Sequence, residues 1–373
     1  MTTIVGQQNI QDRLARQLNE NAVPHAMLFC GPEGTGKMAV ALWFAQALLC
    51  KHPQSGRPCG QCQGCRMAAD FVHPDLHFVF PVIKAKDTSS HVVSDTYLKQ
   101  WREMLRVSPY VDYQEWLDEM LVQNQQAQIG VAESDQILRK LSLTAQQGGY
   151  KVMIMWLPEM MNLQAANKLL KILEEPPQQT VFILVSNQPE KLLSTILSRT
   201  QRVVFKPLPK EEIARVLTTQ YGLQAGEANH VAHLSAGNFI KTLKQIQASE
   251  EKNDFFEYFV QLMRMCYLRD IGGIKKWSES VANWGRERQK EFLDYMLYLV
   301  RENFVYNFQI PELNFMSAKE SEFSVRFARF INERNVIEIV ETVEQARRDV
   351  IQNVNPKMIF FDFGLRMIVL IIR

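Results

Sequence analysis

The sequence predicts an α/β domain built on a parallel sheet, then a small helical region, then an all-α C-terminal domain. Three observations predict it. Short apolar runs alternate with segments of helical spacing as far as residue 205, the pattern of a parallel sheet covered on both faces. A glycine-rich loop joins the first apolar run to the helix that follows it. From residue 255 onward every segment has helical spacing.

Taken in order, residues 7–21 carry Ile10, Leu14 and Leu18 at helical spacing. Residues 26–30 form a short apolar run and predict a strand; 38–50 return to helix. Residues 76–80, 152–156, 181–185 and 203–205 predict further strands, with helices over 133–143 and 163–174. Residues 83–127 break the alternation. They hold Tyr97, Trp101, Tyr110, Tyr113 and Trp116 among many charges, and are too long for an ordinary connection, so they predict a mostly helical insertion. After Pro207-Leu-Pro209, residues 210–221, 227–234 and 238–247 predict three short helices, with Gly222 and Gly237 at turns. The charged stretch 249–254 predicts a boundary. Beyond it, helices are predicted over 255–268, 273–280, 286–308, 322–348 and 356–372.

The 373 residues carry 42 basic and 40 acidic side chains, a net charge of +2. That balance argues against a tail that coats nucleic acid by charge alone; a local basic face stays open. Met1 is followed by polar residues, not by a charged-then-apolar leader. The most apolar stretch, 358–373, is interrupted by Asp362 and Arg366, and a membrane span needs about 20 apolar residues. The expected location is the cytoplasm, without a membrane partner.

Gly31 to Met38 reads GPEGTGKM and fits G-x-x-x-x-G-K. Gly31, Gly34 and Gly36 let backbone N–H groups turn inward on phosphate oxygens, and Lys37 adds a point charge. The helix behind them offers its positive end. The bland alternative is a glycine turn with a solvated lysine; the strand before and the helix after it count against that. Met38 stands where a Ser or Thr hydroxyl would bind Mg²⁺. A nucleotide-hydrolysing site of this kind also needs acidic residues at the end of a second strand. Here residues 151–155 lead into Trp156, Leu157 and Pro158, with no carboxylate before Glu159. Glu159 is read as a solvated surface residue rather than a substitute. Whether ATP or ADP occupies the cradle is left open, and hydrolysis is not expected.

Cys50, Cys59, Cys62 and Cys65 offer four thiolates at short spacing, with Gly56, Gly60 and Gly64 allowing tight turns. Tetrahedral Zn²⁺ takes four such ligands, and a four-cysteine site is closed, hence structural. The alternative is a set of free thiols. Further on, Ser198-Arg199-Thr200 ends a short helix after the strand at 181–185. Such an arginine can protrude towards a neighbour's nucleotide as an arginine finger; a helix-dipole partner or surface ion pair is the commoner reading.

These elements converge on a resemblance. The chain resembles the bacterial DNA polymerase III clamp-loader family within the AAA+ ATPases, and most closely its delta-prime members. The resemblance rests on Val5-Gly-Gln7, His25-Ala26, Gly31-Pro32 through Lys37, the four cysteines, His73-Pro74-Asp75, the run from Asn167 to Leu-Glu-Glu-Pro-Pro177, Leu197-Ser198-Arg199 and Asn355-Pro356-Lys357. Motor members of the family keep a Ser or Thr after the lysine, an Asp-Glu pair and a lid arginine. Met38, Trp156-Leu157 and Ile240 replace them here, which implies a member without ATPase activity of its own. The resemblance assigns Arg199, with Ser198, to an arginine finger acting in trans; Thr200 replaces the usual Cys.

It implies a core AAA+ P-loop domain over 1–205, with a zinc knuckle at 50–65 and the insertion at 83–127. A helical lid over 206–250 and a collar over 251–373 would follow. It implies gamma/tau-like motor and delta-like partners in a hetero-pentameric ring. That ring uses ATP to place the sliding clamp on primed DNA during replication. An active motor subunit and a zinc-dependent DNA-binding module are the competing readings.

Overall fold

Five apolar runs become five parallel strands: β1 (Ala26–Cys30), β2 (Leu76–Val79), β3 (Lys151–Trp156), β4 (Thr180–Ser186) and β5 (Gln201–Val204). The sheet order is β2-β3-β4-β1-β5. The computed structural model describes residues 4–83, 92–120, 126–142, 145, 149–310 and 313–372. These divide into two compact units, Met1–Gln245 and Ile246–Arg373.

The runs of β1, β3 and β4 are buried on both faces, whereas β5 at the sheet edge buries only Val203. In β1, Met27 and Phe29 join one core with Phe44, Phe78, Phe80, Trp156 and Val185. Ala26, Leu28 and Cys30 join another with Met153, Ile172, Leu184 and Ile196. Alternate residues point to opposite faces, so each face needs its own apolar set. The register brings Cys30 level with Ser186, and Trp156 level with Val185. The segments leaving β1, β3 and β4 therefore emerge at one edge. Strand β1 lies between β4 and β5, so the chain order reverses there, and such crevices are where parallel sheets bind ligands.

The helices of the first unit are α1 (Gln8–Asn19), α2 (Lys37–Leu48), α3 (Gln63–Ala69), α4 (Leu98–Val107), α5 (Tyr113–Glu119), α6 (Val131–Ser142), α7 (Leu163–Glu174), α8 (Ser194–Leu197), α9 (Lys210–Gln220), α10 (Ala225–Leu234) and the start of α11 (Phe239–Leu268). Helix α3 has no counterpart in the sequence reading, being only about two turns long. The described part of the 83–127 insertion is mostly helical: a 3₁₀ turn at Ser94–Tyr97, then α4 and α5. Residues 84–91 and 121–125 of it lie outside the described residues.

The second unit continues with α12 (Ile271–Ala282), α13 (Arg286–Tyr306), α14 (Ala318–Phe327), α15 (Val336–Ile351) and α16 (Pro356–Ile372). Phe259, Phe292, Phe360 and Met367 lie in its core. Two expectations change here. The charged stretch 249–254 does not interrupt the helix but lies inside α11, and the two compact units divide just before it, after Gln245; Glu and Lys are good helix formers, so charge alone does not end a helix. The single helix expected over 322–348 is two, because Asn335 turns the chain. Its buried amide donates to the carbonyls of Phe330 and Leu370, at 2.8 and 2.9 Å. No helix among the described residues is long and apolar enough to cross a membrane.

Candidate nucleotide cradle, cysteine cluster and paired arginine

The loop from Gly31 leaves β1 and enters α2 directly, with Gly36 as the residue before the helix. Gly34 and Gly36 have positive φ, +71° and +86°, which side-chain-bearing residues rarely adopt. Space is limiting as well. A Cβ on Gly31 would lie 2.2 Å from the Phe205 carbonyl oxygen, and one on Gly34 would lie 1.8 Å from Asn238 Oδ1. The loop is held from outside. Gln7 Nε2 donates to the carbonyls of Thr35 and Lys206, at 3.1 and 2.9 Å. The Phe239 N–H donates to the Gly34 carbonyl at 2.9 Å.

Lys37 is only 4% exposed. Its ammonium donates to two carbonyls of its own loop, those of Gly31 (2.7 Å) and Pro32. Burial pushes it down to about 8, partly opposed by Glu159 and Glu33. The donors of a phosphate cradle are thus present. Met38, Trp156 and Leu157 offer no side-chain oxygen ligand to magnesium. Met38 is buried in the core. Trp156 and Leu157 are buried too, and Leu157 takes a positive φ of +54°.

Trp156 anchors the insertion instead. Its ring lies 5.1 Å from Trp101, which stacks on Phe80 at 4.4 Å and meets Trp116 edge-on at 5.2 Å. Trp116 Nε1 donates to the Pro81 carbonyl at 2.8 Å. An aromatic cluster occupies the strand end where a carboxylate would stand.

Glu159 departs from expectation. It is half-buried, and its Oε1 accepts the N–H groups of Asn187 and Gln188, at 2.8 and 3.0 Å. It also acts electrostatically on Lys37. It is a fixed part of the edge formed by β3 and β4, not a solvated surface side chain. Pro158 and the bend at Leu157 redirect the chain and make that possible.

The four cysteines converge. Their sulfurs all lie within 4.8 Å of one another. Cys50–Cys59, Cys59–Cys65 and Cys50–Cys62 are 3.5, 3.8 and 3.9 Å apart. A Zn–S bond of about 2.3 Å puts tetrahedral sulfurs about 3.8 Å apart, so the arrangement is compatible with structural zinc. Backbone N–H groups of Cys59, Cys62 and Cys65 each point at the preceding cysteine's sulfur at 3.4 Å. Such donors favour thiolates, and those of Cys62 and Gln61 pull Cys59 down to about 6. The knuckle docks closely: a Cβ on Gly56 would lie 1.8 Å from the Ala15 carbonyl oxygen.

Arg199 follows the last turn of α8. Its guanidinium pairs with Glu174 at the end of α7, Nη2 to Oε2 at 3.1 Å, and Nη1 donates to the Thr195 carbonyl at 3.0 Å. Ser198 Oγ also donates to Thr195, at 3.1 Å. None of these contacts of Arg199 involves its own chain's cradle. Ile240 is buried and carries no charge towards the loop.

Sequence reasoning missed Tyr110, Asp112 and Lys244. Tyr110 Oη accepts the Val5 N–H at 2.9 Å, and its ring packs on Phe239 with centroids 4.7 Å apart. Asp112 pairs with Lys244 at 2.8 Å. Burial alone would push Asp112 up, but Lys244 and the N–H groups of Glu115 and Gln114 hold it low. The aromatic density of 97–116 was the available signal, but it does not say what the rings face.

The family model described as DNA polymerase III, delta subunit, matches residues 6–209. DNA polymerase III subunit delta' of Pseudomonas aeruginosa is 35% identical over 50% of this chain and 44% of its own length. Subunit delta' of Bacillus subtilis is 28% identical over 67% of this chain and 60% of its own. Subunit tau of the same organism is 30% identical over 56% of this chain and 30% of its own. The chain thus matches less than two thirds of the length of these relatives. With over half of its residues matched by the family model and the loop, sheet and cysteine cluster in place, the chain belongs to the clamp-loader family described as DNA polymerase III, delta subunit.

Proposed function

We propose that this chain is a delta-prime-like subunit of a DNA polymerase III clamp loader. It helps assemble the loader ring and does not hydrolyse ATP itself. Its partners are gamma/tau-like motor and delta-like subunits in a hetero-pentameric ring, which loads the sliding clamp on primed DNA in the cytoplasm. The observation that carries this reading is the loss of both magnesium anchors within a kept phosphate loop: Met38 is part of the apolar core, and Trp156-Leu157 are buried among aromatic rings.

In this reading residues 1–205 form the AAA+ core, 206–250 the lid and 251–373 the collar. Arg199, backed by Ser198, reaches the nucleotide of a neighbouring subunit and stabilises charge in its transition state. Glu174 holds the guanidinium until the neighbour is seated. Cys50, Cys59, Cys62 and Cys65 hold a structural Zn²⁺ that fixes the knuckle against α1. The test is a reconstituted complex. Arg199→Ala should leave assembly intact and lower DNA- and clamp-stimulated ATP turnover, and unchanged turnover would sink the assignment.

A second reading, a motor subunit of the same loader, draws support from the tau relative and from the carboxylate of Glu159 acting on Lys37. Steady ATP turnover by the isolated chain, abolished by Lys37→Ala, decides for it.

A further inference from the structure

Three segments meet beside the loop: the N-terminal segment at Val5, the last loop glycine and the start of α11, and Tyr110 packs among them. A base joined to phosphates held in the loop would need room beside that glycine. Tyr110 Oη and Cε1 lie 3.5 and 3.6 Å from where a Cβ on Gly36 would stand. Its Oη takes the backbone N–H of Val5 at 2.9 Å, the kind of donor that a ring nitrogen of a base would use. Its ring lies against Phe239, and the residue is 4% exposed.

The segment bearing Tyr110 is fastened on both sides. Asp112 accepts the N–H groups of Gln114 and Glu115, at 2.7 and 3.1 Å, and so starts α5. Its other oxygen pairs with Lys244 of α11 at 2.8 Å. Behind it, Trp101 and Trp116 anchor the insertion on Trp156 and Phe80. Meanwhile Lys37 is satisfied by carbonyls of its own loop.

We propose that Tyr110 is an internal plug. The insertion places its side chain in the room beside Gly36 that a base would need, where it stands in for a purine base and keeps nucleotide out of this chain's own cradle. Tyr110 then decides whether the cradle takes a ligand, and the ligand it excludes is a nucleoside di- or triphosphate. The inference rests on reading Gly31–Lys37 as a phosphate cradle, and not on Arg199.

The test is calorimetric titration of the full chain with ADP and with a non-hydrolysable ATP analogue, with and without Mg²⁺. Tyr110→Ala should bind at least about tenfold more tightly than the unaltered chain, since the ratio reads the fraction of molecules in which the plug is seated. Adding Lys37→Ala should remove the gain. A folded Tyr110→Ala protein that binds no better than the unaltered chain overturns the proposal. So does a gain that survives Lys37→Ala, because the ligand then sits elsewhere.

Should Tyr110→Ala fail to fold, Lys244→Ala reads the same equilibrium. It unties a half-exposed pair and should raise affinity about threefold; no gain there is equally fatal. The assay uses the chain alone, so its failure leaves the ring reading, tested through Arg199, untouched.

Discussion

Lys37 is the residue whose sequence role and folded environment differ most. The motif supplies it to meet phosphate, yet burial drives its pKa down from 10.5 to about 8. A lysine with a lowered folded pKa binds fewer protons than in the unfolded chain between those values, so stability rises with pH across that window. Below about 8 both states are charged and the full penalty applies. A shift of that size corresponds to about 3 kcal/mol. Denaturant midpoints should therefore climb between pH 8 and 10.5, and Lys37→Met should flatten that part of the profile; parallel profiles would count against it. Glu174 contrasts with this. It is exposed and its partner Arg199 only partly buried, such pairs near the surface are worth about 1 kcal/mol or less, and Glu174→Ala should barely move the melting temperature.

Among elements, the described part of the insertion and the knuckle both pack on the first unit. Trp101 and Trp116 are fully buried, and their cluster depends on Trp156 occupying the end of β3. Trp101→Ala should cost about 3–5 kcal/mol in equilibrium unfolding, the range for emptying a large aromatic site. A loss below 1 kcal/mol would mean the insertion is only loosely laid on the sheet. The knuckle's dependence on metal is checked by metal analysis. The purified chain should carry one zinc, Cys62→Ser should lose it, and the variant's thermal transition should move down. Retention of zinc would exclude a four-cysteine site.

For the molecule as a whole, the two units have separate cores. Phe292 and Phe360 are fully buried in the second. Phe360→Ala should destabilise that unit by about 3–5 kcal/mol while leaving zinc content unchanged, since no cysteine of the cluster lies there. Coupled loss of zinc would show that the two cores do not fold as separate units. The ring-level prediction stays with Arg199, whose removal should be felt only when neighbouring subunits supply nucleotide.

Much of this protein was legible in the sequence because the relevant signals are local. Continuous apolar runs gave five strands, glycines at fixed spacing gave the loop, and four cysteines within a short stretch gave the cluster. Met38 and Trp156-Leu157 announced missing magnesium ligands by residue type alone. What only the tertiary structure decided depends on pairs far apart in the chain. Tyr110 meets Val5 and Phe239, Asp112 meets Lys244, and Glu159 meets the amides after β4. Spacing encodes which face of its own helix or strand a side chain lies on. It does not encode which distant backbone will close over that face, and that closure brought Tyr110 of the insertion beside Gly36 of the loop.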